Sequence, residues 1–166
     1  MTEIITGIIA LIFLIILIWL FYTRFFGAEY QPVSNKVAEK MIELAALKKK
    51  DNVCDLGCGN GKLLLKAAPF CNRAVGVEID PLRAWIARFK TGKIKNIKIL
   101  KGNMFNYDLR DINVVFIFLK QKTNDKLLAK FKRELKKGSR IVSYCWTLGM
   151  PVWKQDQKSR VFAYKI

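Results

Sequence analysis

The residues best placed to do chemistry are two carboxylates and three glycines. Asp55-Leu56-Gly57-Cys58-Gly59-Asn60-Gly61 follows the short apolar run Val53-Cys54 and opens a stretch of helical character. Glu78 closes the next apolar run, 21 residues after Gly57. Glycines at a strand end let the backbone approach a ligand that a Cβ would push away. In an open α/β sheet the ligand crevice lies beyond the carboxyl ends of the strands, and an acid closing the second strand can accept both hydroxyls of a ribose. The phosphate cradle of dinucleotide sites reads GxGxxG. Here the glycines read GxGxG, and Asp55 stands two residues before the first. A carboxylate in that place repels phosphate and attracts an ammonium. A ligand with a ribose, an amino-acid tail and no phosphate fits, and S-adenosylmethionine is such a ligand.

A sheet has to lie beneath these residues. Apolar runs predict strands over 52–56, 73–78, 97–100, 113–119 and 140–146, with short ones over 151–153 and 160–165. Helices are predicted over 35–47, with Val37, Met41, Leu44 and Ala45 at helical spacing, and over 61–69, 81–90 and 126–136. Strands alternating with helices predict a doubly wound α/β sheet.

Other chemistries drop out. The chain has no His, which removes Ser-His-Asp and Cys-His nucleophile systems. Cys54, Cys58, Cys71 and Cys145 form no paired CxxC spacing, so no metal is expected and the thiols read as small buried hydrophobes of a reducing compartment.

The N-terminus differs in kind. Residues 4–22 carry no charge and are dominated by Ile, Leu, Phe and Trp. Nineteen helical residues span roughly 28 Å, near the hydrocarbon thickness of a bilayer. The start lacks Lys or Arg and no Ala-x-Ala follows, unlike a signal peptide. The expectation is a transmembrane anchor over 1–26, a linker over 27–34 and the α/β domain over 35–166. Trp19, Phe21, Tyr22, Phe25 and Phe26 sit where aromatic rings favour the interface, and Arg24, Lys36 and Lys40 beyond them place the domain on the cytoplasmic side. All 30 basic residues lie from Arg24 onward, with all but one of the 13 acidic ones. Such an excess suits an anionic lipid surface beside the anchor; nucleic acid is the less favoured partner.

With those residues in view, 53–61 resembles motif I of the class I, seven-strand S-adenosylmethionine-dependent methyltransferases. The resemblance implies a Rossmann-like sheet in which Asp55, Gly57 and Gly59 line the methionine end, within the loop that also holds Cys58 and Gly61. It implies that Glu78 holds the ribose and Ile79 lies against the adenine. Lys101-Gly102-Asn103-Met104-Phe105 looks like the loop after the third strand, with Met104 on the adenine ring. Asn103, where many members have Asp, would accept from the adenine amine through its carbonyl. Tyr30-Gln31-Pro32, Val75-Gly76-Val77-Glu78-Ile79-Asp80, the 114–119 run, Asn124, the 135–143 run and Trp153 resemble the small protein lysine methyltransferases of archaea and the mitochondrial type that modifies ATP synthase. That implies a protein substrate, including a membrane protein, methylated on a Lys amine.

The chemistry asks little of the chain, because the methyl group is activated by the cofactor's own charge and the protein supplies position. Aromatic walls hold an ammonium by cation–π contact; Tyr30, Phe118, Trp146 and Trp153 are the candidates for substrate positioning, each with a plain core role as the alternative. After the fourth strand the chain reads Phe118-Leu119-Lys120, without the Asn/Asp-Pro-Pro-aromatic run usual in base-modifying relatives. Phospholipid, small-molecule or RNA methylation, and a non-catalytic cofactor-binding basic module, stay open.

Overall fold

The computed structural model describes residues 2–26 and 32–166, with side chains for 2–18 and 32–166. Two compact units divide the chain, Met1–Gln31 and Pro32–Ile166. The first holds helix α1 (Thr2–Phe26). Among the described residues no helix is long and apolar enough to cross a membrane. This overturns the expected single-pass anchor and the cytoplasmic placement that followed from it. The aromatic cluster at 19–26, most of the linker and Tyr30 lie outside the described side chains.

The second unit begins at α2 (Asn35–Ala45), where Ser34 Oγ accepts the Val37 N–H at 3.2 Å, as an N-cap does. There follow β1 (Asn52–Leu56), α3 (Lys62–Ala67), β2 (Arg73–Glu78), α4 (Pro81–Thr91), β3 (Ile97–Lys101), β4 (Val114–Ile117), α5 (Gln121–Glu134), β5 (Arg140–Tyr144), β6 (Val152–Asp156) and β7 (Val161–Lys165). The seven strands lie in the order β3-β2-β1-β4-β5-β7-β6. β3, β2, β1, β4 and β5 are mutually parallel, and β7 runs antiparallel between β5 and β6.

Strand residues alternate between two cores, as the period-2 geometry requires. Val53, Phe116, Val142 and Ala163 pack with Met41, Leu64 and Ala84 on the α2–α4 side. Cys54, Val115, Ile141 and Tyr164 pack with Leu127 and Phe131 of α5 on the other. Burial on both faces is why β4 reads as unbroken apolar sequence. The strand order reverses between β1 and β4, so a crevice opens beyond their carboxyl ends.

Two boundaries differ from the sequence expectation. β5 stops at Tyr144 because Cys145 turns left-handed, at φ 72°. α5 starts five residues before the expected Lys126. Its first turn is held by distant groups: Gln121 Nε2 donates to Thr147 O at 3.0 Å.

Gly76 sits in mid-β2, where a Cβ would lie 2.6 Å from both Cys58 Sγ and Leu64 Cδ1. Gly76→Ala is therefore expected to overpack this point, at about 1–3 kcal/mol, and to displace the Cys58 loop. Thermal melts with and without S-adenosylmethionine check it: the cofactor-induced rise should shrink as well as the baseline fall.

Candidate active site

Leu56 ends β1 and the chain turns at once. Gly57, Gly59 and Gly61 take φ of 80°, 54° and 77°, values that glycine alone adopts at no steric cost. The Gly57 and Cys58 N–H groups both donate to Val77 O, at 2.8 and 3.2 Å, which ties the loop to the end of β2. A Cβ at Gly57 would come 3.1 Å from Leu119 Cδ2, so the segment after β4 closes over the same loop.

Glu78 fixes the other wall. Its Oε2 accepts the Gly59 N–H at 2.8 Å and its Oε1 the Asp80 N–H at 2.9 Å. It is buried, yet each carboxylate oxygen keeps a lone pair for another donor. Gly102 N–H donates to Glu78 O at 2.9 Å, drawing the loop after β3 to the same corner. Ile79, just past β2, is 62% exposed and offers an open apolar surface.

Asp55 carries the strongest electrostatic signal. It is buried, and among the described residues no donor or cation bonds its carboxylate. Burial, and then the neighbouring Glu78 charge, push its pKa up to about 7. A carboxylate placed so awaits a cation. Two buried acids, a loop with three left-handed glycines and an open apolar edge fit a cofactor with an ammonium, a ribose and a flat base. Burial, reinforced by Asp55, also pushes the Cys54 and Cys58 thiols up, which keeps them protonated and poor nucleophiles. Among the described residues no His, Cys, Asp and Glu group is arranged to hold a metal ion.

On the other side of the crevice the Phe118 and Tyr144 rings meet at 4.5 Å, tilted by 50°. The turn that follows is pinned from beneath: Asn124 Nδ2 reaches Ser143 Oγ at 3.4 Å and Trp146 O at 3.5 Å, and Ser143 Oγ also donates to Trp146 O. Trp146 is left partly exposed at this rim.

The structure thus brings Asp55, Gly57, Cys58, Gly59, Gly61 and Glu78 together, with Ile79, Asn103 and Met104 on the loops beside them. Asn103 Oδ1 accepts the Phe105 N–H at 3.0 Å, capping a 3-10 turn over Met104–Asn106, and keeps a second lone pair for another donor. Met104 packs partly into the α5-side core. Trp153 is not at the crevice. It lies on the outer strand β6, four strand spacings or roughly 19 Å from β1, beneath Lys154 Nζ and Lys165 Nζ at 4.5 and 5.2 Å. Tyr144 escaped the sequence reading because it looked like the interior of a strand.

The strand order and this site define a class I S-adenosylmethionine-dependent methyltransferase. Residues 55–157 match the model of the ANTKMT methyltransferase domain, and the chain belongs to that family. A protein-lysine N-methyltransferase of Saccharolobus islandicus (strain REY15A) is 40% identical over 120 residues, 69% of this chain and 74% of its own length. A lysine N-methyltransferase of Homo sapiens, named for its link to ATP synthase, is 23% identical over 130 residues, 76% of this chain but 54% of its own length; the chain spans about half of that relative. An RNA methyltransferase from Salinibacter ruber, solved in complex with S-adenosyl-L-homocysteine, superposes with TM-score 0.76 at 28% identity, covering 82% of this chain and 94% of that one.

Proposed function

We propose that the chain is a protein-lysine N-methyltransferase. The observation that carries this reading is the 40% identity to an archaeal protein-lysine N-methyltransferase over most of the α/β domain. In this reading Asp55 pairs with the ammonium of the methionine end, Glu78 accepts from the ribose, and the Gly57–Gly61 loop leaves room for the backbone to lie against the ligand. Ile79 and Met104 flank the adenine, with Asn103 at its edge. Bound S-adenosylmethionine supplies a methyl group activated by the sulfonium charge.

The chain's own task is to place a neutral amine in line with that carbon and to exclude water. Phe118, Tyr144 and Trp146 form the substrate wall. Aromatic faces hold an ammonium or its methylated forms, while apolar surroundings and a positive neighbour lower the amine pKa and favour the attacking form. Tyr30, outside the described residues, remains a candidate for the same wall. The lysine ammonium gives up one proton to water before attack; the neutral amine then takes the methyl carbon as the C–S bond breaks, and the positive charge passes from sulfur to the methylated amine.

The test is methyl transfer from labelled S-adenosylmethionine to a protein pool, with the labelled residue identified after hydrolysis. Methylated lysine is expected. Tyr144→Ala should raise KM for the protein about tenfold, on the scale of a desolvated cation–π contact, and leave the cofactor Kd unchanged. Label confined to RNA or to a lipid extract would overturn the lysine reading.

A further inference from the structure

We infer that the outer face of α4, with the loop and edge strand that follow, is a docking surface for single-stranded nucleic acid. The helix packs on the sheet through Ala84, Ala87 and Thr91. Its opposite side presents Leu82, Trp85 and Phe89, which are 43%, 61% and 79% exposed. The spacing is i, i+3, i+7, so the three form one ridge. Apolar side chains exposed side by side, rather than scattered singly, mark a contact surface. The Trp85 and Phe89 rings lie nearly parallel, 19° apart with centroids at 6.1 Å, and both are largely exposed.

Charge selects the partner. From Pro81 to Lys101 there are seven basic residues and no acidic one. Lys90, Lys93, Lys95 and Lys98 are all exposed, and none has an ion-pair partner among the described residues. They continue the helix's C-terminal end onto β3, one of the two edge strands of the sheet. A row of cations beside flat aromatic faces is what a single strand uses, with its phosphates on the lysines and its bases stacked on the rings. Trp and Phe beside lysines also meet lipid interfaces; the two nearly parallel rings, which offer flat faces for bases, favour the single strand.

The surface uses none of the residues placed at the cofactor crevice and does not depend on the lysine reading. Together the two make physical sense: a chain of net charge +17 repels lysine-rich proteins, and a polyanion bound by both would concentrate them at the enzyme.

The experiment titrates the full chain with a labelled 20-nucleotide single-stranded RNA of mixed sequence. The comparison probes are the matching duplex, inorganic polyphosphate and phosphatidylglycerol vesicles. The single strand should bind at least tenfold more tightly than duplex or polyphosphate. Its log affinity should fall with log salt at a slope of about −3 for four neutralised phosphates. A Trp85→Ala, Phe89→Ala double variant should lose tenfold or more, and a variant with the four lysines changed to Gln should lose most of the slope. Both should keep wild-type S-adenosylmethionine binding, which reports an intact fold. Equal binding of polyphosphate, or RNA binding unchanged in the aromatic double variant, would overturn the proposal. Loss of vesicle binding with RNA binding retained in that variant would assign the ridge to lipid instead.

Discussion

Asp55→Asn is expected to stabilise the cofactor-free chain at pH 8 while weakening S-adenosylmethionine binding about 100-fold or more. Burial and the Glu78 charge raise the Asp55 pKa from 3.8 to about 7. In the unfolded chain the group ionises near pH 4, whereas in the folded chain it holds its proton to near neutrality. The folded state therefore binds more protons between pH 4 and 7, and stability falls as pH rises through that window. Three pK units correspond to about 4 kcal/mol. Below pH 4 the acid is neutral in both states and the penalty is absent; above pH 7 it is complete.

Asn is neutral throughout, so the variant's gain should be near zero at pH 4 and full at pH 8. At roughly 2–4 °C per kcal/mol for a chain of this length, the melting temperature should rise by several degrees at pH 8. Matched thermal melts at pH 4, 6 and 8 check this, and superimposable curves at pH 8 would dismiss the buried-charge argument. The loss of affinity follows from the same carboxylate, since an uncompensated ammonium in a buried site costs about 2–5 kcal/mol. Titration of the parent chain at pH 6, in buffers of different ionisation enthalpy, should show close to one proton released per cofactor bound, and the variant none. A site that is strained when empty and relieved when loaded is the usual balance between stability and function.

This site was legible because its chemistry is local. The Asp55 to Gly61 segment and Glu78 each terminate a strand whose limits are readable from apolar runs and glycine, and parallel strand order follows from the alternation of elements. Whatever depends on lateral position in the sheet was not legible. Trp153 looked like a substrate-site aromatic until β6 proved to be the outermost strand. Tyr144 joined the site only because the left-handed Cys145 ends β5 beside Phe118. The start of α5 was hidden because Lys120 makes no side-chain cap bond, and its first turn is fixed instead by groups some twenty residues away. The cap that Asn103 Oδ1 makes to the Phe105 N–H was not legible either, because it belongs to the 3-10 turn beside it. The N-terminal helix was overread as an anchor: among the described residues no helix is both long and apolar enough to cross a membrane.

The contact with least local signal has the largest expected effect on stability. Asp51 and Arg140 are 89 residues apart in the chain, and nothing in either neighbourhood announces the pair. Both side chains are buried and joined by an ion pair. Asp51 Oδ2 also accepts the Lys48 N–H at 2.7 Å. Arg140 Nη1 donates to Ala45 O at 2.7 Å and to Ala46 O, the last carbonyls of α2, where a cation meets the negative end of the helix. One guanidinium thereby fastens the α2–β1 turn to β5, and the turn leads directly into the strand that ends at Asp55. Asp51→Ala leaves a buried guanidinium without its counter-charge, which is expected to destabilise by about 3–5 kcal/mol and to lower the melting temperature by roughly 10 °C. Pairing it with Arg140→Met should recover part of the loss, because the desolvation of the lone charge disappears with it. Denaturant unfolding of the two single variants and the double variant measures the coupling directly. Losses that simply add would mean the two side chains act independently, and the tether between α2 and β5 would then have to rest on apolar packing alone.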